Sequence, residues 1–198
     1  MKSASFLPVR IARTVRRAGD SVVLVVAVAI FIAQQLAISN LAPDGASGVF
    51  RQVLFFSTTL VLAALALWFR RLWGAWLVAL GILVNLVPMA MHRGSMPIDY
   101  GIIERSGAFP EVTRDDIGKQ TNHGKDVVLE REDIHFFWLS DRYVVEVPAY
   151  GANIYSLGDF VLLAGVAGVV GQAAGMGLRT AFRRRESATA ASVLHPRG

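Results

Sequence analysis

Four long apolar runs dominate the pattern of hydrophobic and polar positions. Val22 to Ile38 is relieved only by Gln34 and Gln35, and Phe50–Phe69, Leu72–Met91 and Phe160–Leu178 follow. At about 1.5 Å per residue, helices of about 17 to 20 residues reach about 26 to 30 Å, the thickness of a bilayer's hydrocarbon core. Core helices of soluble proteins are rarely this apolar on every face. The pattern predicts an all-α membrane protein: four transmembrane helices, with a roughly 66-residue extracytoplasmic loop between helices three and four. The expected organisation is a basic cytoplasmic N-terminus over 1–20, three spans within 21–91, the loop at 92–157, the fourth span at 158–178, and a basic cytoplasmic tail without regular structure over 179–198.

Charge orients the spans. Lys2, Arg10, Arg13, Arg16 and Arg17 precede the first run, Arg70 and Arg71 lie between the second and third, and Arg179, Arg183, Arg184 and Arg185 follow the fourth. The link from Asn40 to Val49 carries no Lys or Arg, and residues 92–157 hold eleven acids against seven Lys or Arg. The positive-inside rule then places both termini and the Arg70–Arg71 turn in the cytoplasm of a cell membrane. Arg16-Arg17 ahead of an apolar run also fits a twin-arginine signal peptide, but the run is long for one and Ala37-Ile38-Ser39 is a poor cleavage site, so the first helix is expected to remain.

Composition agrees. Hydrophobic residues make up 54% and charged residues 18%, against about 25% charged in soluble domains. The net charge of +5 sits in short clusters beside apolar runs, so the expected partners are the lipid bilayer and other membrane subunits, with no nucleic acid. The absence of cysteine excludes disulfides and thiolate chemistry.

Within the spans, Ala167, Gly171 and Gly175 recur every fourth residue and predict close helix approach within the protein, with Gln172 able to add an interhelical hydrogen bond. Pro88 should kink or unwind the end of span three, and Asn85, one turn earlier, is expected to bond a neighbouring helix or a freed carbonyl. No Asp, Glu, Lys, Arg or His sits in the middle of a span, which argues against an ion-coupled transporter.

In the loop, Val127–Leu129 and Tyr143–Val147 are β-prone, while Phe136, Phe137 and Trp138 are expected at the headgroup level. The loop is expected to fold back on the helix ends, being too small to bury a large core. Ser156-Leu-Gly-Asp159 is a capping-box pattern, a structural role that accounts for both residues without chemistry. His92, His123 and His135 lie among carboxylates without metal-ligand spacing, so no metal or other cofactor is indicated.

Several of these elements, in order, resemble a family of small bacterial membrane proteins, domain of unknown function 5317. They are Asn85, His92-Arg-Gly-Ser-Met-Pro-Ile98, Asn122-His-Gly-Lys125, Leu139-Ser-Asp141 and Tyr155-Ser-Leu-Gly-Asp159. The likeness covers roughly residues 50 to 178; His92-Arg93 departs from the family's Asn-Gly. It implies the architecture and no reaction. It also points to Asn85, Met96, Pro97, Asp141, Ser156 and Asp159 as a candidate site, converging at the outer helix mouth if the loop folds over it.

Three functions compete, and whether the chain is an enzyme stays open. The favoured one is a non-enzymatic scaffold or accessory subunit of a membrane complex. The alternative is a small membrane enzyme or binding protein using Asp141, Asp159 and a histidine at the helix mouth. The third is a transporter of a small neutral solute.

Overall fold

The computed structural model describes residues 7–42, 45–121, 125–148 and 151–194. Four long helices organise it: α1 (Leu7–Asn40), α2 (Gly45–Trp68), α3 (Trp73–Met91) and α5 (Leu157–Leu194). Within them Gly19–Asn40, Gly45–Trp68, Trp73–Met91 and Leu157–Met176 are long and apolar enough to cross a membrane. Helix α3 is the hub. Half of its length is buried, against 11% for each of the other three, and it packs on both α2 and α5 while α1 rests on α2. Side chains such as Val25, Phe31, Leu163 and Val170 point away from the protein, as a helix immersed in lipid requires.

Polar side chains pin the apolar helices together. Gln34 of α1 is 3% exposed and donates to Thr58 Oγ1 at 2.6 Å and Thr59 Oγ1 at 3.0 Å on α2. Gln172 of α5 accepts from the Gly74 N–H at 3.2 Å, satisfying a first-turn amide of α3 that has no partner inside its own helix. The close approach of α5 to α3 uses a different face from the one its spacing predicts. A Cβ at Gly171 or Gly175 would meet nothing within 4 Å, whereas at Gly165 it would lie 2.5 Å from the Val78 nitrogen and at Gly81, on α3, 2.5 Å from the Leu162 nitrogen. Small residues occupy every side of α5, so its sequence does not choose among them; the glycines of α3 do.

Helix α3 continues through Pro88 to Met91 instead of unwinding there. The chain leaves it through Arg93 (φ 55°) and Gly94 (φ 90°), whose amide returns to the Met89 carbonyl at 2.8 Å. A Cβ at Gly94 would sit 3.1 Å from the Gln52 carbonyl oxygen of α2, so the turn needs glycine for both its φ and its contact.

The region between α3 and α5 is not all-helical. It contains β1 (Met96–Asp99), α4 (Tyr100–Ser106), β2 (Asp126–Leu129), β3 (Tyr143–Val147) and β4 (Gly151–Tyr155), with three short 3-10 turns. Strand β1 pairs parallel with β2, Met96 opposite Asp126, and also bridges Asp141 from Ile98. Strands β3 and β4 form a hairpin, Tyr143 opposite Tyr155. A compact segment must pair its buried backbone, and these β-branched stretches do so as ladders. The inserted module does fold onto the helix ends, with Met96 joining Ala63, Ile82, Leu86 and Met89. It also has a small core of its own, Ile98, Ile102, Ile103, Val128 and Ile154. Phe137 packs against that core, while Phe136 and Trp138 are exposed.

Helix α5 runs on to Leu194, so helix covers most of 179–198, a stretch rich in good helix formers such as Ala, Arg and Glu.

Candidate functional site

The site is built where α3, the start of α5 and the inserted module meet. Asn85, one turn before Pro88, is 6% exposed and faces the first turn of α5. Its Nδ2 donates to Asp159 Oδ1 at 2.8 Å, and its Oδ1 accepts from the Ser156 hydroxyl at 2.7 Å. The capping box closes the circuit: the Asp159 N–H donates to Ser156 Oγ at 3.1 Å and the Ser156 N–H to Asp159 Oδ2 at 3.0 Å. Gly158 makes room for it, since a Cβ there would collide with Asn85 Oδ1.

Beside this circuit lies a cluster of charge. Asp141 is 3% exposed, its N–H bonded to the Pro97 carbonyl at 3.3 Å. The parallel register that puts Asp126 opposite Met96 brings the Asp126 and Asp141 carboxyls within hydrogen-bond reach of each other. Burial pushes Asp141 well above the usual carboxylate range, and the neighbouring Asp126 and Asp159 add to this against the pull of Lys125. Burial likewise raises Asp126, with Lys125 opposing. For Lys125, burial favours the neutral amine, but Asp141, Asp126 and Asp159 together outweigh it and hold the ammonium. Two carboxyls at this distance share a proton readily. Among the described residues, Asp126 Oδ1 and Asp141 Oδ1 are buried without a hydrogen-bond partner.

Arg51 of α2, only 2% exposed, joins the cluster to the module. Its Nη2 donates to Gln120 Oε1 at 2.6 Å and to the Thr121 carbonyl at 3.2 Å, and its charge acts on Asp126.

Titration tests the cluster. A carboxyl whose folded pKa is raised stabilises the fold below its ordinary pKa of about 4 and loses that contribution as pH climbs through the raised value. Thermal stability should therefore fall as pH rises above about 4 by more in the wild type than in Asp141→Asn. Melting curves in detergent across that range check this; equal slopes would mean that Asp141 ionises freely.

The six candidate residues from the sequence are thus all brought to one place. Asn85, Ser156 and Asp159 bond one another, and Asp141 adjoins them. Met96 and Pro97 are fully buried and act through packing and a backbone carbonyl. Lys125, Asp126 and Arg51 complete the site and lie outside the six candidates, although Lys125 ends the Asn122-His-Gly-Lys125 element of the family resemblance. The adjacent charges Lys125-Asp126 at the head of a β-prone run were the available signal for two of them. Asn122 and His123 lie outside the described residues. His92 caps α3, its Nδ1 2.7 Å from the Pro88 carbonyl and its Nε2 3.3 Å from the His135 N–H. Both histidines line a neighbouring cleft of about 810 Å³, together with Gln52, Asp116 and Lys119. Among the described residues, no three His, Asp or Glu side chains are placed to hold a metal ion.

Four apolar helices carrying a small α/β module between the third and fourth have the makeup of a multi-pass membrane protein. The chain belongs to the family of unknown function DUF5317, whose sequence model matches residues 21–171. That span takes in the second and third apolar helices, the whole module and most of the first and fourth apolar helices. No curated protein and no solved structure matches the chain.

Proposed function

We propose that this is a cell-membrane protein with both termini in the cytoplasm, acting as a non-enzymatic scaffold or accessory subunit that holds its extracytoplasmic module rigidly on the helix mouth. The observation that carries this is the closed Asn85–Ser156–Asp159 circuit: the residues best suited to chemistry at the mouth spend their hydrogen bonds on one another. The bond from Arg51 of α2 to Gln120 of the module adds a second, part-buried tie between the apolar helices and the module. Groups so engaged fix geometry and leave little capacity for a substrate.

Because the chain has no cysteine, single-cysteine variants test the orientation directly. Lys119→Cys should react with a membrane-impermeant maleimide on intact cells, and Arg71→Cys only after permeabilisation; the reverse result would invert the topology. Native electrophoresis in mild detergent tests the role. A scaffold should run as a discrete assembly well above the 21.5 kDa chain in its micelle, and a lone monomer would count against it.

One observation favours a second reading, a membrane enzyme or binding protein. The facing Asp126 and Asp141 carboxyls beside Lys125 resemble a pair poised to hold and release a proton. Asp126→Asn with Asp141→Asn separates the two. A scaffold keeps its assembled mass and its role in the cell, whereas an enzyme keeps the mass and loses the role.

A further inference from the structure

A second pocket, of about 470 Å³, opens on another side of the module between α4, the 3-10 turns and β3. Three arginines line it: Arg105 from the last turn of α4, Arg131, and Arg142 just before β3. The acid on its wall is Asp99, which already accepts the Gly101 N–H at 2.9 Å. Among the described residues, none of the three arginines has a carboxylate within 4 Å; the ion pairs formed are Arg114–Glu130 and Lys119–Asp116. Arg142 Nη1 is buried without a hydrogen-bond partner among the described residues.

Aromatic rings hold two of these cations in place. Arg131 Cζ stands 4.3 Å from the Phe137 ring centre, and Arg142 Cζ lies 4.8 Å from Phe137, 4.2 Å from Trp138 and 5.2 Å from Tyr143. Stacking uses the face of a guanidinium and leaves its in-plane N–H donors free, so the rings orient the arginines without consuming their donors. The same rings locate the pocket. Trp138 is 67% exposed, and Tyr143 packs edge-on at 5.6 Å against Phe160, in the first turn of the apolar part of α5. The pocket therefore opens beside the end of a helix suited to cross a membrane.

We infer that the pocket of Arg105, Arg131 and Arg142 binds a phosphoryl group at the membrane surface. Planar guanidiniums match phosphate oxygens in pairs, and a net excess of two positive charges in a partly enclosed pocket selects an anion over a zwitterion. The group comes either from an anionic phospholipid headgroup or from free phosphate. The lipid source rests on the membrane placement proposed above; the phosphate chemistry does not.

The test uses the full chain purified in detergent, with two probes: phosphatidylglycerol against phosphatidylcholine, read by native mass spectrometry, and inorganic phosphate, read by the shift in melting temperature. Wild type is expected to retain phosphatidylglycerol over phosphatidylcholine. Arg105→Gln and Arg131→Gln should each reduce retention about tenfold, the size of one lost charge-assisted contact, and Arg114→Gln, elsewhere on the module, should not. Among the described residues Arg105 makes no ring contact, so its variant reports on binding even if replacing Arg142 disturbs the fold. Stabilisation by inorganic phosphate that the same variants abolish, without lipid retention, would support the pocket and assign it a soluble ligand. Neither probe binding, or binding unchanged in the Arg105 and Arg131 variants, would overturn it. Failure of the cysteine-labelling topology with phosphate binding intact would remove the membrane placement alone.

Discussion

Gly165→Leu is expected to destroy the folded protein in mild detergent, while Gly171→Leu leaves it intact. Helices α3 and α5 cross with their backbones in near contact: a Cβ at Gly165 falls 2.5 Å from the Val78 nitrogen and 2.8 Å from the Gly74 carbonyl oxygen. A whole leucine can be accepted only if the helices separate, which also pulls Gln172 from the Gly74 amide and Asn85 from Asp159. Overpacking a tight site costs about 1 to 3 kcal/mol, more when the obstacle is backbone. Breaking buried hydrogen bonds adds about 1 to 3 kcal/mol for each group left alone. That sum is comparable to the total stability of many small domains. Gly171 faces open space, so leucine there should change stability by about 0.5 kcal/mol or less. Fluorescence-detected gel filtration with a thermal ramp reads both. Equal behaviour of the two variants would mean that the helices do not cross on the Gly165 face.

Asp159→Ala is expected to lower stability by about 3 kcal/mol, through one lost helix cap and the orphaning of the Asn85 amide. One carboxylate serves both, through Oδ2 to the Ser156 N–H and Oδ1 to Asn85 Nδ2. It also leaves Lys125 with one counter-charge fewer. Asp159→Asn keeps an oxygen for the cap and should cost markedly less. Thermal melts of the two variants decide between a structural carboxylate and one held for chemistry. If Asp159→Ala melts with the wild type, the circuit is not holding the helix mouth, and Asp159 returns to the list of candidate catalytic groups.

Both predictions depend on contacts between segments distant in the chain, and this divides what the residues announce from what they do not. The four apolar helices were legible because lipid demands about 20 apolar residues in succession, a constraint written locally. The Ser156–Asp159 capping box was legible for the same reason: its partners are three residues apart, and helix geometry alone joins them. The strands β2 and β3 followed from β-branched runs, and the tie from Asn85 to a neighbouring helix followed from the cost of an unpaired amide in an apolar helix.

Tertiary structure alone decided the rest. Small residues surround α5, so only the complementary glycines of α3 select Gly158, Gly165 and Gly168 over Ala167, Gly171 and Gly175. Lys125, Asp126 and Asp141 meet because β1 pairs with β2 and also bridges Asp141, a register fixed by long-range pairing. Likewise, Arg105, Arg131 and Arg142 share a pocket only once α4, the turns and β3 pack together. By itself the sequence determined which segments leave water and how their ends are capped, since those depend on neighbours within a turn or two. Which polar groups face one another was settled by packing, because each such pair joins residues that no local periodicity relates.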